Sequence, residues 1–179
     1  YKDIIDGFTW SFSRLLMWEQ CPYAFYLKYI EGVDGEGNFF ADNGSIMHKI
    51  LEMIVSNSIH PSEAPHIYQE EYRNIINTER QAIMDQTFEK CLDYLYKIKT
   101  IDKTKYSILG TELKLKFSIG KYSFHGYADL VLKELATGKI ILVDYKSAGH
   151  FYKKDGSILA NQKHNFEAYK KQMLLYCIG

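Results

Sequence analysis

The chain has 179 residues and a mass of 20.9 kDa, enough for one domain with a substantial core. Its 22 Lys and Arg balance 22 Asp and Glu, which excludes a histone-like or polybasic protein. No apolar run approaches the roughly 18–20 residues that span a bilayer, which excludes a helical membrane protein.

Ser11 and Ser13 precede Leu15, Leu16 and Trp18, the pattern of a capped helix start. Pro22 interrupts that helix, and Phe25, Tyr26, Tyr29 and Ile30 then recur at helical spacing. The stretch from Glu31 to Gly44 is rich in Gly and poor in apolar residues apart from Phe39 and Phe40, so it reads as a loop. From Ser45 the pairs Ile46/Met47, Ile50/Leu51 and Ile54/Val55 repeat every four residues, an amphipathic helix. A polar link at His60-Pro61-Ser62 leads into a helical region over residues 65–99 with room for one break.

Beyond residue 100 the pattern changes to strands. Leu113, Leu115, Phe117 and Ile119 alternate with Lys114, Lys116 and Ser118, a strand with one face in water and Glu112 at its start. Gly120-Lys121 is a hairpin turn into a second strand over residues 122–133. Ala136-Thr137-Gly138 turns the chain again, and residues 140–146 form a third strand whose apolar start places it in the middle of a sheet. A loop with Gly and Lys follows, then a last helix over residues 163–178. The expected organisation is one domain over residues 1–179, helical to about residue 100, with the sheet and last helix over 105–179.

Charge is uneven along this order. Residues 1–100 carry 9 basic and 15 acidic side chains, a net of −6, and residues 101–179 carry 13 and 7, a net of +6. A basic half beside an acidic half hints at an anionic partner. Cys21, Cys91 and Cys177 are odd in number and widely spaced, which fits reduced thiols in a cytoplasmic protein. The opening Tyr1-Lys2-Asp3 has neither Met nor a signal-peptide pattern, as in a fragment or a processed chain.

The chemistry concentrates near the third strand. Alternation along Val143-Asp144-Tyr145-Lys146 puts Asp144 and Lys146 on one face and Tyr145 on the other. On its own, a D-x-K pair is more often a salt-bridged strand end than a site. Asp129 lies fifteen residues before Asp144, and a short turn would set the two acids side by side. Paired carboxylates repel, and a hard divalent cation is the usual reason to tolerate them. Glu112 could add a third acid. His48 flanks the apolar stripe of its helix, where a helix-face histidine is the commoner outcome. Tyr23, Phe25, Tyr26 and Tyr29 read either as core or as a stacking platform. Gln172 and Tyr176 share a helix face, as in any amphipathic helix.

Taken together and in order, these elements resemble the RecB-type branch of the PD-(D/E)xK nuclease superfamily. The resemblance is carried by Ser11-Phe12-Ser13, Cys21-Pro22-Tyr23-Ala24-Phe25, Gly44 to His48, Glu112, Gly126-Tyr127-Ala128-Asp129, Asp144-Tyr145-Lys146 and Gln172-Met173-Leu174-Leu175-Tyr176. These run from residue 11 to residue 176.

The resemblance implies an α/β fold: a restriction-endonuclease-like core with a mixed central sheet flanked by helices and an N-terminal helical segment. It implies Mg²⁺ or Mn²⁺ held by His48, Asp129, Asp144 and the backbone carbonyl of Tyr145. Lys146 would position and polarise the attacking water, with Asp144, Asp129 and Glu112 completing the catalytic set. Gln172 and Tyr176 would line the site or touch DNA. The implied activity is metal-dependent DNA cleavage, as an exonuclease of recombination, repair or phage type, with a helicase or recombination partner. The alternative is a catalytically silent DNA-binding or scaffolding module, and RNA cleavage ranks last. Some relatives bind an iron–sulfur cluster through a Cys at the Cys21 position and three later Cys. Those three have no counterpart, so no such cluster is expected. The last helix of the family normally leads to another strand, so the C-terminal end is expected to be truncated.

Overall fold

A computed structural model describes residues 5–33, 35, 37–75, 81–146, 155 and 157–178. The elements in chain order are β1 (Thr9–Trp10), α1 (Phe12–Gln20), α2 (Pro22–Tyr29), α3 (Phe39–Val55), α4 (Ala64–Ile75) and α5 (Gln81–Lys97). Then come β2 (Tyr106–Ile119), β3 (Tyr122–Glu134), β4 (Ile140–Val143) and α6 (Lys163–Tyr176), the last entered through a 3₁₀ turn at Ala160–Gln162. The fold is mixed α/β. The sheet runs β1-β3-β2, with β4 also on β3; β1 is parallel to β3 and β4 antiparallel to it. Among the described residues, no helix is long and apolar enough to cross a membrane.

The chain divides into two compact units. The first comprises Tyr1–Gly35, Leu113–Ala128 and Gly149–Gly179, the second Glu36–Glu112 and Asp129–Ala148. In the first, Ser11 caps α1 by accepting from the Arg14 N–H at 3.4 Å. Pro22 opens α2 at a position that needs no N–H, and the Cys21 sulfur accepts from the Ala24 N–H at 3.4 Å. Its core is aromatic: Trp10 stacks on Phe25 at 5.7 Å, with Phe124 buried beside them. The Tyr and Phe cluster of α2 therefore splits, with Phe25 in the core and Tyr23 exposed.

In the second unit, α3 buries Ile46, Met47, Ile50, Leu51 and Ile54 against Tyr68, Tyr72, Met84 and Leu95 from α4 and α5. Each such side chain contributes about 1.5–3 kcal/mol on burial. The region expected to be helical with one break is α4 and α5; residues 76–80 between them lie outside the described residues.

Three expectations are corrected. The loop ends six residues early: Asn38 caps α3 by accepting from the Phe40 N–H at 2.9 Å, and residues 39–44 are helical. Tertiary packing overrides their composition, since Phe39 meets Tyr72 edge-on at 5.8 Å and Asn43 accepts from Tyr68 Oη at 2.7 Å. The first strand begins at Tyr106, so Glu112 lies in its interior. The third strand ends at Val143, and Ile140 is 57% exposed, so β4 is not a buried central strand; among the described residues it pairs with β3 alone. Most of the expected loop before α6 (147–154 and 156) lies outside the described residues.

Candidate metal centre

The apolar stripe of α3 points into the core of the second unit, and its register leaves the half-buried His48 on the flank of that stripe. The two ring nitrogens of His48 have separate partners. Nε2 lies 3.0 Å from the backbone carbonyl oxygen of Tyr145, to which it donates as the N–H tautomer. Nδ1 lies 3.5 Å from Asp129 Oδ1 and 4.0 Å from Glu112 Oε1.

Asp129 sits on β3 between the buried Ala128 and Leu130, and its own side chain is 8% exposed. A carboxylate so placed needs partners. The Tyr145 backbone N–H donates to its Oδ2 at 2.5 Å. The antiparallel register Leu130↔Val143 brings about this bond, because it carries the chain leaving β4 past Asp129. Tyr145 thus braces the group with both backbone polar atoms, while its ring packs on the hydrophobic core and edge-on to His48 at 5.9 Å. Burial pushes its phenol up to about 12, so it stays neutral.

His48, Glu112 and Asp129 offer one nitrogen and two oxygens, all within 4.8 Å of one another. Donors around a divalent cation stand up to about 4 Å apart for Mg²⁺ and about 5 Å for Ca²⁺. The group therefore has the size and the carboxylate-rich donor set of a hard-cation site. Asp144 lies outside it. Its largely buried carboxylate holds Lys146 Nζ at 2.5 Å, so positions 144 and 146 share a side although both lie past the strand.

The electrostatics favour protons or a cation. The hydrogen bond that protonated His48 gives to Asp129 raises its imidazole above the ordinary range despite its burial. Burial, then the Asp129 charge, raises Glu112. For Asp144, burial outweighs Lys146 and the carboxyl also lies above its usual range.

Two participants went unread in the sequence. Thr111 Oγ1 donates to Glu52 Oε1 at 3.2 Å, and the Glu52 charge helps to raise Glu112. Glu52 follows His48 by four residues and so shares its helix face, the one signal that could have found it. Glu112 itself has φ +46°, a left-handed conformation that costs a non-glycine residue about 1 kcal/mol or more and that no local pattern announces.

Gln172 and Tyr176 belong to the first unit. Gln172 Nε2 donates to Tyr176 Oη at 3.2 Å, and the buried Tyr176 ring lies directly over Gly126.

The family model described as the PD-(D/E)XK nuclease superfamily matches residues 9–179. A comparison with curated proteins returned no match.

Proposed function

The chain belongs to the PD-(D/E)XK nuclease superfamily, and from that premise we propose a Mg²⁺- or Mn²⁺-dependent deoxyribonuclease of the RecB-type branch. We read it as an exonuclease of recombination, repair or phage type, acting in the cytoplasm with a helicase or recombination partner. Membership of the superfamily suggests metal-dependent cleavage of nucleic acid. The branch, the exonucleolytic mode and the setting rest on the order of the sequence motifs.

The observation that carries the reading is the His48, Glu112 and Asp129 group, with Asp144 and Lys146 following on the chain that Tyr145 ties to Asp129. A divalent cation held there would neutralise charge on the phosphoryl oxygens and ease departure of the leaving oxygen. His48 and Asp129 would hold it, with Asp144 swinging from Lys146 to join them. The Tyr145 carbonyl keeps a second lone pair beyond the one that faces His48. Lys146 would hold and polarise the attacking water, an ammonium being a compact donor for that task. Glu112 would support the cation or its waters, and Gln172 would serve the DNA side with the buried Tyr176 bracing it.

The test is cleavage of end-labelled linear and closed circular DNA with Mg²⁺, Mn²⁺ or EDTA, by the wild type and Asp144→Ala. Metal-dependent loss of linear DNA alone, absent in the variant, supports an exonuclease. Attack on circles replaces that with an endonuclease. Full activity in Asp144→Ala overturns the site assignment. Metal binding without cleavage of either substrate favours the silent DNA-binding module.

A further inference from the structure

Within the first unit, a groove of about 660 Å³ is lined by Arg14, Lys114, Lys116 and His125, with hydroxyls from Thr9, Ser118 and Ser123. None of the metal-group residues lines it, and among the described residues neither does any carboxylate. That is unexpected in a chain with equal numbers of acidic and basic side chains. Elsewhere in this unit two lysines do have acids: Lys121 meets Asp6 at 2.8 Å and Lys171 meets Glu19 at 3.1 Å.

The groove is built rather than incidental. Arg14 donates to the Thr9 carbonyl and lies over the rings of Phe8 and Tyr29, at 4.5 Å and 5.1 Å, so its cation is fixed at small further entropic cost. Lys114 and Lys116 are two apart on β2 and project from the same face. His125 is half-buried, and burial together with the charges of Arg14 and Lys114 holds its imidazole below the ordinary range.

The geometry points to a nucleic-acid backbone as the ligand: Arg14, Lys114, Lys116 and His125 form a phosphodiester-binding groove that holds the polymer at a site other than the metal group. The groove has the volume of a pocket for a drug-sized molecule, more than one phosphate ion fills. The mixture of fixed cations, hydroxyls and one imidazole suits phosphate oxygens and offers no array for reading base edges. The inference rests on the nuclease reading, since it takes the ligand to be that enzyme's own polymer.

The experiment measures binding of a fluorescent oligonucleotide by anisotropy in EDTA, across a salt series, so that neither metal nor cleavage enters. The variants are Lys114→Gln/Lys116→Gln and the control Lys139→Gln, all on exposed side chains; Arg14 is left intact because it also supports the aromatic core. The double variant should bind about tenfold or more weakly at 0.1 M salt. It should also lose about 1.4–1.8 from the slope of log K against log salt, at about 0.7–0.9 per phosphate contact. Lys139→Gln should lose neither, and millimolar inorganic phosphate should not displace the oligonucleotide. An unchanged slope in the double variant, or an equal loss in the control, overturns the groove. Displacement by phosphate overturns the polymer in favour of a single-anion site. Calorimetry with Mn²⁺ separates the two readings: metal titration intact in the double variant with binding lost supports the groove, whatever the cleavage assay shows.

Discussion

His48 Nε2 stands 3.0 Å from the Tyr145 carbonyl, a contact between residues 97 positions apart that ties α3 to the chain leaving β4. With Nε2 engaged there as an N–H, it is Nδ1 that faces Asp129 and Glu112, protonated when it donates to Asp129 and a free lone pair for a cation once that proton leaves. One backbone carbonyl thereby selects the tautomer that can ligate a cation.

His48→Ala should therefore cost Mn²⁺ affinity by more than the about 10–100-fold typical of a partner that only orients a ligand. Isothermal titration measures it. The exposed histidines give the contrast: His66→Ala should leave the titration unchanged, because among the described residues His66 pairs with Glu70 alone, on the face of α4. Equal loss in both variants would show that a general effect, rather than ligation, is being read.

Lys146 separates chemistry from binding. In Lys146→Ala, turnover should fall by about 100-fold or more, the scale of a positioned proton-transfer group, while Mn²⁺ still binds. Removing the ammonium takes a positive charge from beside the Asp144 carboxylate, so affinity for the cation should hold or rise. Loss of affinity equal to that of Asp144→Ala would mean that Lys146 orders the site instead of acting on water.

The pH dependence of stability follows from His48. Its folded pKa lies above 6.5, so the native protein holds this proton more tightly than the unfolded chain. The stability it contributes is complete below pH 6.5 and is lost as pH rises through the folded value. His125 is shifted the other way, so its contribution rises with pH and levels off above pH 6.5 as the unfolded imidazole loses its proton. In EDTA, melting temperature should therefore fall between pH 6.5 and 8, and His48→Gln should flatten the fall. Mn²⁺ competes with that proton, so its stabilisation should grow over the same range. A fall of equal steepness in His48→Gln would assign the titration elsewhere.

Local signals announced most elements. Ser11 as a cap, Pro22 at a helix start, the four-residue repeat of α3 and the Gly120-Lys121 turn are each decided within a few residues, and the structure has each of them. The errors fall where distant contacts decide. Phe39 to Gly44 are helical because Tyr68 and Tyr72 receive them, and Ile140 is exposed because nothing described lies beyond β4. At the candidate site, residue identities were readable as motifs. Two features were not readable: the left-handed backbone of Glu112 and the attachment of Tyr145 to both Asp129 and His48, which depend on strand register and helix approach.

Gly126 illustrates a motif residue whose reason is spatial. Its φ is not in the left-handed region, so conformational freedom is not what it supplies. A Cβ there would instead fall inside the contact radius of the Tyr176 ring, which is buried and held through its hydroxyl by Gln172. Gly126→Ala should cost about 1–3 kcal/mol, as overpacking does. That corresponds to a melting temperature lower by about 2–12 °C in a chain of this size. Tyr176→Leu removes the ring edge, so on that background Gly126→Ala should cost markedly less, and a double-mutant cycle should return a coupling of about 1 kcal/mol or more. Additive costs would show that something other than the Tyr176 ring requires glycine at this position.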